Sequence, residues 1–429
     1  MNVNMKSIIL CRKFLLLAIF CLAFFGVSSR TWAEDAWVST GALPVDRIDS
    51  LVVHSDRKTV YAGFSRRGIY KTEDGGATWK LASRGLTSGS IVSLALHSDG
   101  VTIYAGTWAG VFKSTDGGVN WAPINNGISS SSLMVRGMAM LPDGQTLFVS
   151  TRDTNGIKGA LYKSTDGGAN WSSVDLGLGS ESYKPYGIAA SRDGRTIYVG
   201  LSEKGMTRST DGGLTWVDVS AGLNGSNFYP GTLAVQGDGQ TVYVSNVEYT
   251  GIYRSTDGGA HWMPIALPGA PAAYDLKLSP DDQNLYAATS KGVFKSTDGG
   301  TQWSAVGGST NPEYADSLAL DPQSGQVMYA SGSGGVYRNT GVPGAQASIT
   351  AEELMNWAQS SLPDLFPGAL TTVSGDGFVF RGPYANGNFV GVADRMVYVL
   401  GPAWGSQLVP VGTLDSLVCV VKPTSCSNP

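Results

Sequence analysis

The sequence predicts an all-β fold: a seven-bladed β-propeller closed by an N-terminal strand, followed by a small α+β C-terminal domain. Three observations predict it. First, the 429 residues include 57 glycines and 10 % aromatics but only 15 % charged residues, a composition suited to many short strands joined by tight turns. Second, the string Ser/Thr-Thr/Glu-Asp-Gly-Gly-x-x-Trp recurs six times, with successive tryptophans 41 to 50 residues apart, the period of propeller blades. Third, a seventh unit lacks its last strand, and a matching strand stands near the other end of the chain. The glycines follow no three-residue period, which excludes a collagen-like chain. A hydrophobic content of 42 % and a net charge of −4 exclude a charged disordered chain and argue against a nucleic-acid partner.

In chain order, residues 1–33 read as a secretory signal. Lys6, Arg12 and Lys13 precede an apolar run from Phe14 to Val27, and Thr31-Trp32-Ala33 ends the segment with a small residue. The apolar run is shorter than the ~20 residues of a spanning helix, and Phe20 before Cys21 disfavours a lipid anchor. Cleavage after Ala33 removes four cations, Lys6, Arg12, Lys13 and Arg30, and two cysteines. Export to the periplasm or the extracellular space is expected, with no membrane span after cleavage. Cys419 and Cys426 then remain, and an oxidising compartment favours a disulfide between them over two free thiols.

Residues 34–341 carry the repeat. Each unit begins with an apolar strand such as Ser93-Leu-Ala-Leu-His97, then an Asp-Gly turn, then a Thr-Ile-Tyr-Ala/Val strand as at Thr102 and Thr196. A third strand reads Gly-Val-Phe-Lys at Gly110 and Gly292. The Asp-Gly-Gly turn then leads to a fourth strand that starts with Trp. Each has strand-forming residues bounded by turn residues. The seventh unit, Ser317 to Gly341, stops after three strands. Trp37 to Leu43 supplies the fourth beside Tyr337, which removes the open edge.

The six aspartates of the turns (Asp74, Asp116, Asp166, Asp211, Asp257, Asp298) are expected to accept backbone N–H groups rather than to catalyse. The tryptophans (Trp79, Trp121, Trp171, Trp216, Trp262, Trp303) are expected to pack between blades. The motif resembles the Asp-box, or bacterial-neuraminidase repeat (BNR), of the sialidase-like propellers. That group includes sialidases, xyloglucan hydrolases, sortilin-type receptors and photosystem II assembly factors. The regular boxes are most similar in style to the assembly-factor and sortilin-like exported branch, which implies a binding protein. The sialidases' Arg-Ile-Pro start is missing; Arg47-Ile48-Asp49 is the nearest string.

The Asp-Gly-Gly turns and the turns between first and second strands share one rim, so a ligand site belongs on the other. Aligning the first strands on Leu51, Leu94, Met138, Ile188, Leu233, Leu276 and Leu318 places Asp49, Val92, Arg136, Tyr186, Gly231, Tyr274 and Asp316 two positions earlier. This ring is expected to border the central channel, and it varies from blade to blade. Asp49 and Asp316, on adjacent blades after closure, are the candidate catalytic pair for glycosidic acid–base work. The other reading is a solvated rim. Arg136, Tyr186, Tyr274, Arg66, Arg67 and Trp108 are the candidate ligand-binding residues. Arg152, Asp153, Lys158, Glu203, Lys204, Glu248, Tyr249 and Lys291 lie in the loops above. Mixed charge with aromatics suits a protein or a glycan.

Other chemistries find little support. His54 and His97 occupy equivalent turns and His261 lies in a box, so neither a triad nor a metal cluster is expected. Lys113, Lys163 and Lys295 precede Ser-Thr without the glycines of a phosphate loop. No cofactor is expected.

Residues 342–348 read as a linker and 349–429 as a small module. Thr350 to Glu353 is a capping box for a helix carrying Leu354, Trp357 and Ala358, and Pro363 ends it. A hairpin around Asn386-Gly387 and a strand from Met396 follow. The module resembles one at the C-termini of varied exported bacterial proteins. Trp357, Tyr384 and Trp404 could pack its core or bind a ligand. Taken together, an exported, monomeric, non-catalytic propeller that engages an extracytoplasmic protein or glycan is expected. The alternative is a glycoside hydrolase of sialidase-like or glucan-hydrolase-like type.

Overall fold

The computed structural model describes residues 36–340, apart from 154, 156–157, 179–182, 224–227, 247–250, 270–271, 323 and 333, together with five strands between 371 and 413. Residues 36–340 form seven four-stranded antiparallel sheets. Blade 1 runs Ile48–Val53, Val60–Phe64, Gly68–Thr72 and Lys80–Leu81. Five further blades repeat that order, their first strands being Ile91–Leu96, Met134–Met140, Pro185–Ala190, Pro230–Val235 and Ala273–Leu278. Blade 7 takes Ala315–Leu320, Val327–Gly332 and Gly335–Asn339 from one end of this region and Trp37–Ser39 from the other. Trp37 pairs with Asn339 and Ser39 with Tyr337, as the missing-strand argument requires. Every first strand touches the first strands of both neighbouring blades, so these seven strands surround the axis.

The second strands are almost wholly buried and each supplies a large ring near its start, Tyr61, Tyr104, Phe148, Tyr198, Tyr243, Tyr286 and Tyr329, to which blade 1 adds Phe64. Rings of this size dominate such a core. The third strand's basic residue covers this ring, with Lys71 over Tyr61, Lys113 over Tyr104, Lys163 over Phe148, Arg254 over Tyr243 and Lys295 over Tyr286. Lys163 also donates to the carbonyl of Gly212 in the next blade at 2.7 Å. The recurrent Lys-Ser-Thr is therefore a device that joins blades.

The Asp-Gly-Gly turns are alike. In blade 2, Ser114 Oγ donates to Asp116 Oδ1 at 2.8 Å and accepts the N–H of Gly118 at 2.8 Å. Asn120 donates its backbone N–H to Oδ1 and its Nδ2 to Oδ2. The two glycines of all six turns have φ between 66° and 95°, a region that glycine enters without steric cost. Hydrogen bonds from the residue four places on, Thr78, Asn120 and Asn170, hold Asp74, Asp116 and Asp166 down at about 2. These carboxylates fix the turns.

A tryptophan indole then joins blades. Nε1 of Trp121, Trp171, Trp262 and Trp37 donates to the carbonyl of Ala82, Ile124, Val219 and Val306, each three residues after the preceding repeat tryptophan. All six repeat tryptophans pack against the preceding blade, Trp216 edge-on to Phe148 among them, but three depart from the indole-to-carbonyl bond. Trp79 donates to Thr40 Oγ1, Trp303 donates to Gly300 within its own turn, and buried Nε1 of Trp216 has no partner among the described residues.

The five strands beyond, Thr371–Gly375, Phe378–Gly382, Phe389–Ala393, Met396–Leu400 and Val409–Thr413, form an antiparallel sheet in sequence order. The signal segment, the linker, the helix expected from Thr350, Trp357, Tyr384, Trp404, Cys419 and Cys426 lie outside the described residues. Among the described residues no helix is long and apolar enough to cross a membrane.

Candidate functional site

Backbone bonds separate the two rims. Gly75, Gly117, Gly167, Gly212 and Gly258 each donate from an Asp-Gly-Gly turn to a carbonyl in the turn between first and second strands of the same blade. The opposite rim holds the loops between second and third strands and the entries to the first strands. There, Gly68 N–H donates to Gly89 O and Trp108 N–H to Ser90 O.

The first strands meet this mouth through a β-bulge in every blade. The pairing register shifts between Ile48 and Ser50, Ile91 and Ser93, Val135 and Gly137, Pro185 and Ile188, Pro230 and Leu233, Ala273 and Asp275, and Ala315 and Leu318. The ring of Asp49, Val92, Arg136, Tyr186, Gly231, Tyr274 and Asp316 falls inside these bulges. A bulge leaves a residue unpaired and re-aims its side chain. The sheet is thus built to present these seven positions, and the framework does not constrain their identity. The strand interior is anchored just behind. Ser317 Oγ, Ser50 Oγ, Thr232 Oγ1 and Asp275 Oδ2 accept the backbone N–H of Leu51, Leu94, Leu276 and Leu318 in the next blade.

At the junction of blades 7 and 1, Arg47 Nε lies 2.5 Å from Asp49 Oδ1 and 4.0 Å from Asp316 Oδ1. Ser65 Oγ donates to Asp49 Oδ2 at 2.5 Å and Tyr314 OH to Asp316 Oδ1 at 2.7 Å. Tyr274 of blade 6 packs on Tyr314 with ring centroids 5.3 Å apart. The side chains of Asp316 and Asp49 are 8 % and 17 % exposed. Burial pushes the Asp316 carboxyl up, against the pull of the Tyr314 hydroxyl and Arg47, and the Asp49 charge adds to the rise. Burial and the neighbouring carboxylate also push the Tyr314 phenol up.

A second group spans blades 2 to 4. The Arg136 guanidinium stands 5.8 Å over the ring of Trp108, which is 50 % exposed, and its Nη2 reaches Met134 Sδ at 3.3 Å. Burial lowers the Arg136 guanidinium below its ordinary value; Tyr186 beside it raises it, and repulsion from Arg152 lowers it further. Among the described residues neither Arg136 nor Arg152 forms an ion pair, and the Nε of each is buried without a partner. The remaining predicted cations, Arg66 and Arg67, lie 3.2 Å and 3.9 Å from the nearly buried carboxylate of Asp46. The mouth therefore holds separate groups, with Asp49 and Asp316 sharing Arg47 and Arg136 apart from them. Glu248 and Tyr249 lie outside the described residues.

Sequence reasoning missed Arg47, Tyr314, Ser65 and Asp46. Arg47-x-Asp49 and Tyr314-x-Asp316 share a two-residue offset, the spacing that puts side chains on one side of an extended segment. That offset is the signal that would have found two of them. The histidines serve their turns. His54 and His97 accept the N–H of Asp56 and Asp99 through Nδ1, and His261 Nδ1 lies 2.6 Å from Asp257 Oδ2. No group of three His, Cys, Asp or Glu among the described residues is placed to hold a metal ion.

The fold and its mouth define a seven-bladed β-propeller with a non-repeating rim. No family model matches the chain and no curated protein matches it. Solved structures share the fold. An ancestral GH74 enzyme matches with a TM-score of 0.53 at 15 % identity, over 83 % of this chain and 54 % of its own. YCF48 bound to D1 peptide matches with a TM-score of 0.52 at 16 % identity, over 73 % of this chain and 99 % of its own. The extracellular domain of BT4673 from B. thetaiotaomicron matches with a TM-score of 0.55 at 15 % identity, over 89 % and 48 %. The chain thus spans about half the length of the GH74 enzyme and of the BT4673 domain.

Proposed function

We propose that the chain is an exported binding propeller of the Asp-box type that engages an extracytoplasmic protein at its mouth and performs no chemistry of its own. The observation that carries this reading is the position of Arg47, 2.5 Å from Asp49 and 4.0 Å from Asp316. A glycosidic oxygen or an attacking water needs the space between two carboxylates, and here a guanidinium occupies their junction. Arg136 and Arg152, in no ion pair among the described residues, and the exposed Trp108 offer a partner's acidic and apolar groups a surface. The basic and apolar segment before Ala33 supports export. The propeller neighbours support it too, through the extracellular BT4673 domain and the peptide bound to YCF48.

One observation favours the second reading, a glycoside hydrolase. Asp316 is held up by burial beside Asp49, and a raised carboxyl next to a second carboxylate is how such enzymes keep an acid protonated. Two measurements separate the readings. Protein lacking residues 1–33 is assayed on fluorogenic sialosides and β-glucans, and tagged protein is recovered from the native envelope. The binding reading expects no turnover, and one envelope protein retained by the wild type and lost with Arg136→Glu. Turnover abolished by Asp316→Asn would overturn it.

A further inference from the structure

Comparison of the blades exposes two seams that differ from the rest. The residue three places after each blade's tryptophan reads Thr40, Ala82, Ile124, Val174, Val219, Ile265 and Val306 along the chain. In four seams its side chain lies against the second glycine of the next turn: Thr40 on Gly76, Ile124 on Gly168, Val219 on Gly259 and Ile265 on Gly300. At Gly213 the nearest side chains are Phe148 and Trp216, and at Gly118 they are Tyr61 and Ile103; of the two seams only the second has an alanine at the position three places after the tryptophan. Ala82 is too short to reach, although its carbonyl still accepts the Trp121 indole at 2.8 Å. A groove of about 430 Å³ opens beside Ala82 between blades 1 and 2, within the usual range for small-molecule sites. Ala82 and Gly118 line it, with Leu81 and Val119 beside them at 63 % and 56 % exposed.

The charges around the groove are unevenly spent. Lys71 is held by Glu73 at 2.6 Å. Asp74 is held by the hydroxyls of Thr72 and Thr78. Lys80 and Arg84, which also line the groove, form no ion pair among the described residues. We propose that the seam between blades 1 and 2 is a binding site for a small amphipathic carboxylate. Its apolar body rests on Leu81, Ala82 and Val119, and its carboxylate meets Lys80 and Arg84. The groove lies on the rim of the Asp-Gly-Gly turns, away from the mouth, so the result here is independent of partner binding there.

The test is a calorimetric titration of the full chain with 4-phenylbutyrate and with 4-phenylbutylamine, which has the same body and the opposite charge. One-site saturation by the acid is expected, with the amine at least tenfold weaker. Ala82→Ile restores the side chain that blade 2 carries at Ile124. It is expected to weaken the acid at least tenfold while leaving the melting temperature unchanged or higher. The exposed double variant Lys80→Ala/Arg84→Ala, which removes no packing, is expected to weaken the acid tenfold as well. Absence of saturation, equal affinity for the amine, or full affinity in either variant overturns the proposal.

Discussion

The indole of Trp37 donates to the carbonyl of Val306, 269 residues further along the chain, at 2.8 Å. Its backbone N–H meets Thr310 Oγ1 at 3.0 Å, and its ring packs with Val306, Ala315 and Ala330. The same indole-to-carbonyl bond joins consecutive blades elsewhere, so one interaction serves both as repeat and as ring closure. On the far side of blade 7, Arg57 Nη2 reaches the buried Asp321 at 2.7 Å, and Ser331 Oγ donates to Ile48 O at 3.1 Å.

Removing this closure is expected to destabilise the whole ring. Trp37→Ala deletes a buried ring, for which about 3–5 kcal/mol is usual. Trp303→Ala is expected to cost less, because that indole bonds within its own turn and is only half-buried. Thermal melts of the two variants rank them, and an equal loss would contradict the closure argument.

Much of the fold was legible because the repeat prints each element six times. The position of Trp37 was legible because the seventh unit is short by one strand. The bulges were not read, since a strand was assumed to alternate. The sign was present: Ile48 and Leu51, Ile91 and Leu94, and Ala273 and Leu276 are buried at a spacing of three, which alternation forbids. The mouth groups were half legible. Asp49 and Asp316 follow from blade alignment, but Arg47 and Ser65 come from a loop entry and a strand exit that the repeat does not constrain.

Gly137 tests the bulge. A Cβ there would meet the backbone carbonyl oxygen of Tyr186 in the next blade. Gly137→Ala is expected to cost about 1–3 kcal/mol, the range for an overpacked site. It is also expected to shift the Arg136–Trp108 pair, read as a change in tryptophan emission. A silent variant would mean that the strand entry is loose.

Blades 3 and 4 meet at a seam that packs Trp216 on Phe148 but lacks the indole bond. Nε1 of Trp216 lacks the bond its counterparts make, so the Lys163 bond to Gly212 carries more of the contact. Lys163→Met is expected to lose about 1–2 kcal/mol, with faster amide exchange in the Asp211 turn than in the Asp116 turn. Equal exchange in both turns would contradict this local reading.

Acid should unfold the chain through its turns. Asp74, Asp116 and Asp166 sit at about 2 in the folded protein, below the ~3.9 of a free aspartate. Their stabilisation is therefore complete above pH 4 and is lost as the pH falls toward 2. The melting temperature is expected to drop across this window. Asp116→Asn, which has already lost one such carboxylate, is expected to drop less steeply. A flat profile between pH 4 and 2 would remove the turns as the acid-sensitive element.

Asp316 has the opposite sign. Burial holds its carboxyl above the ordinary value, so the folded state binds its proton more tightly than the unfolded one. Stability linked to this group is full below the unfolded pKa and declines as the pH rises through the folded one. Asp316→Asn keeps an oxygen for the Tyr314 hydroxyl, which donates to Asp316 at 2.7 Å, and removes the buried charge. It is expected to melt higher than the wild type at pH 7, with the gap closing toward pH 4. A variant that melts lower at pH 7 would show that attraction to Arg47, 4.0 Å away, outweighs the cost of burial. The carboxylate would then be a fixed partner of the arginine at this mouth.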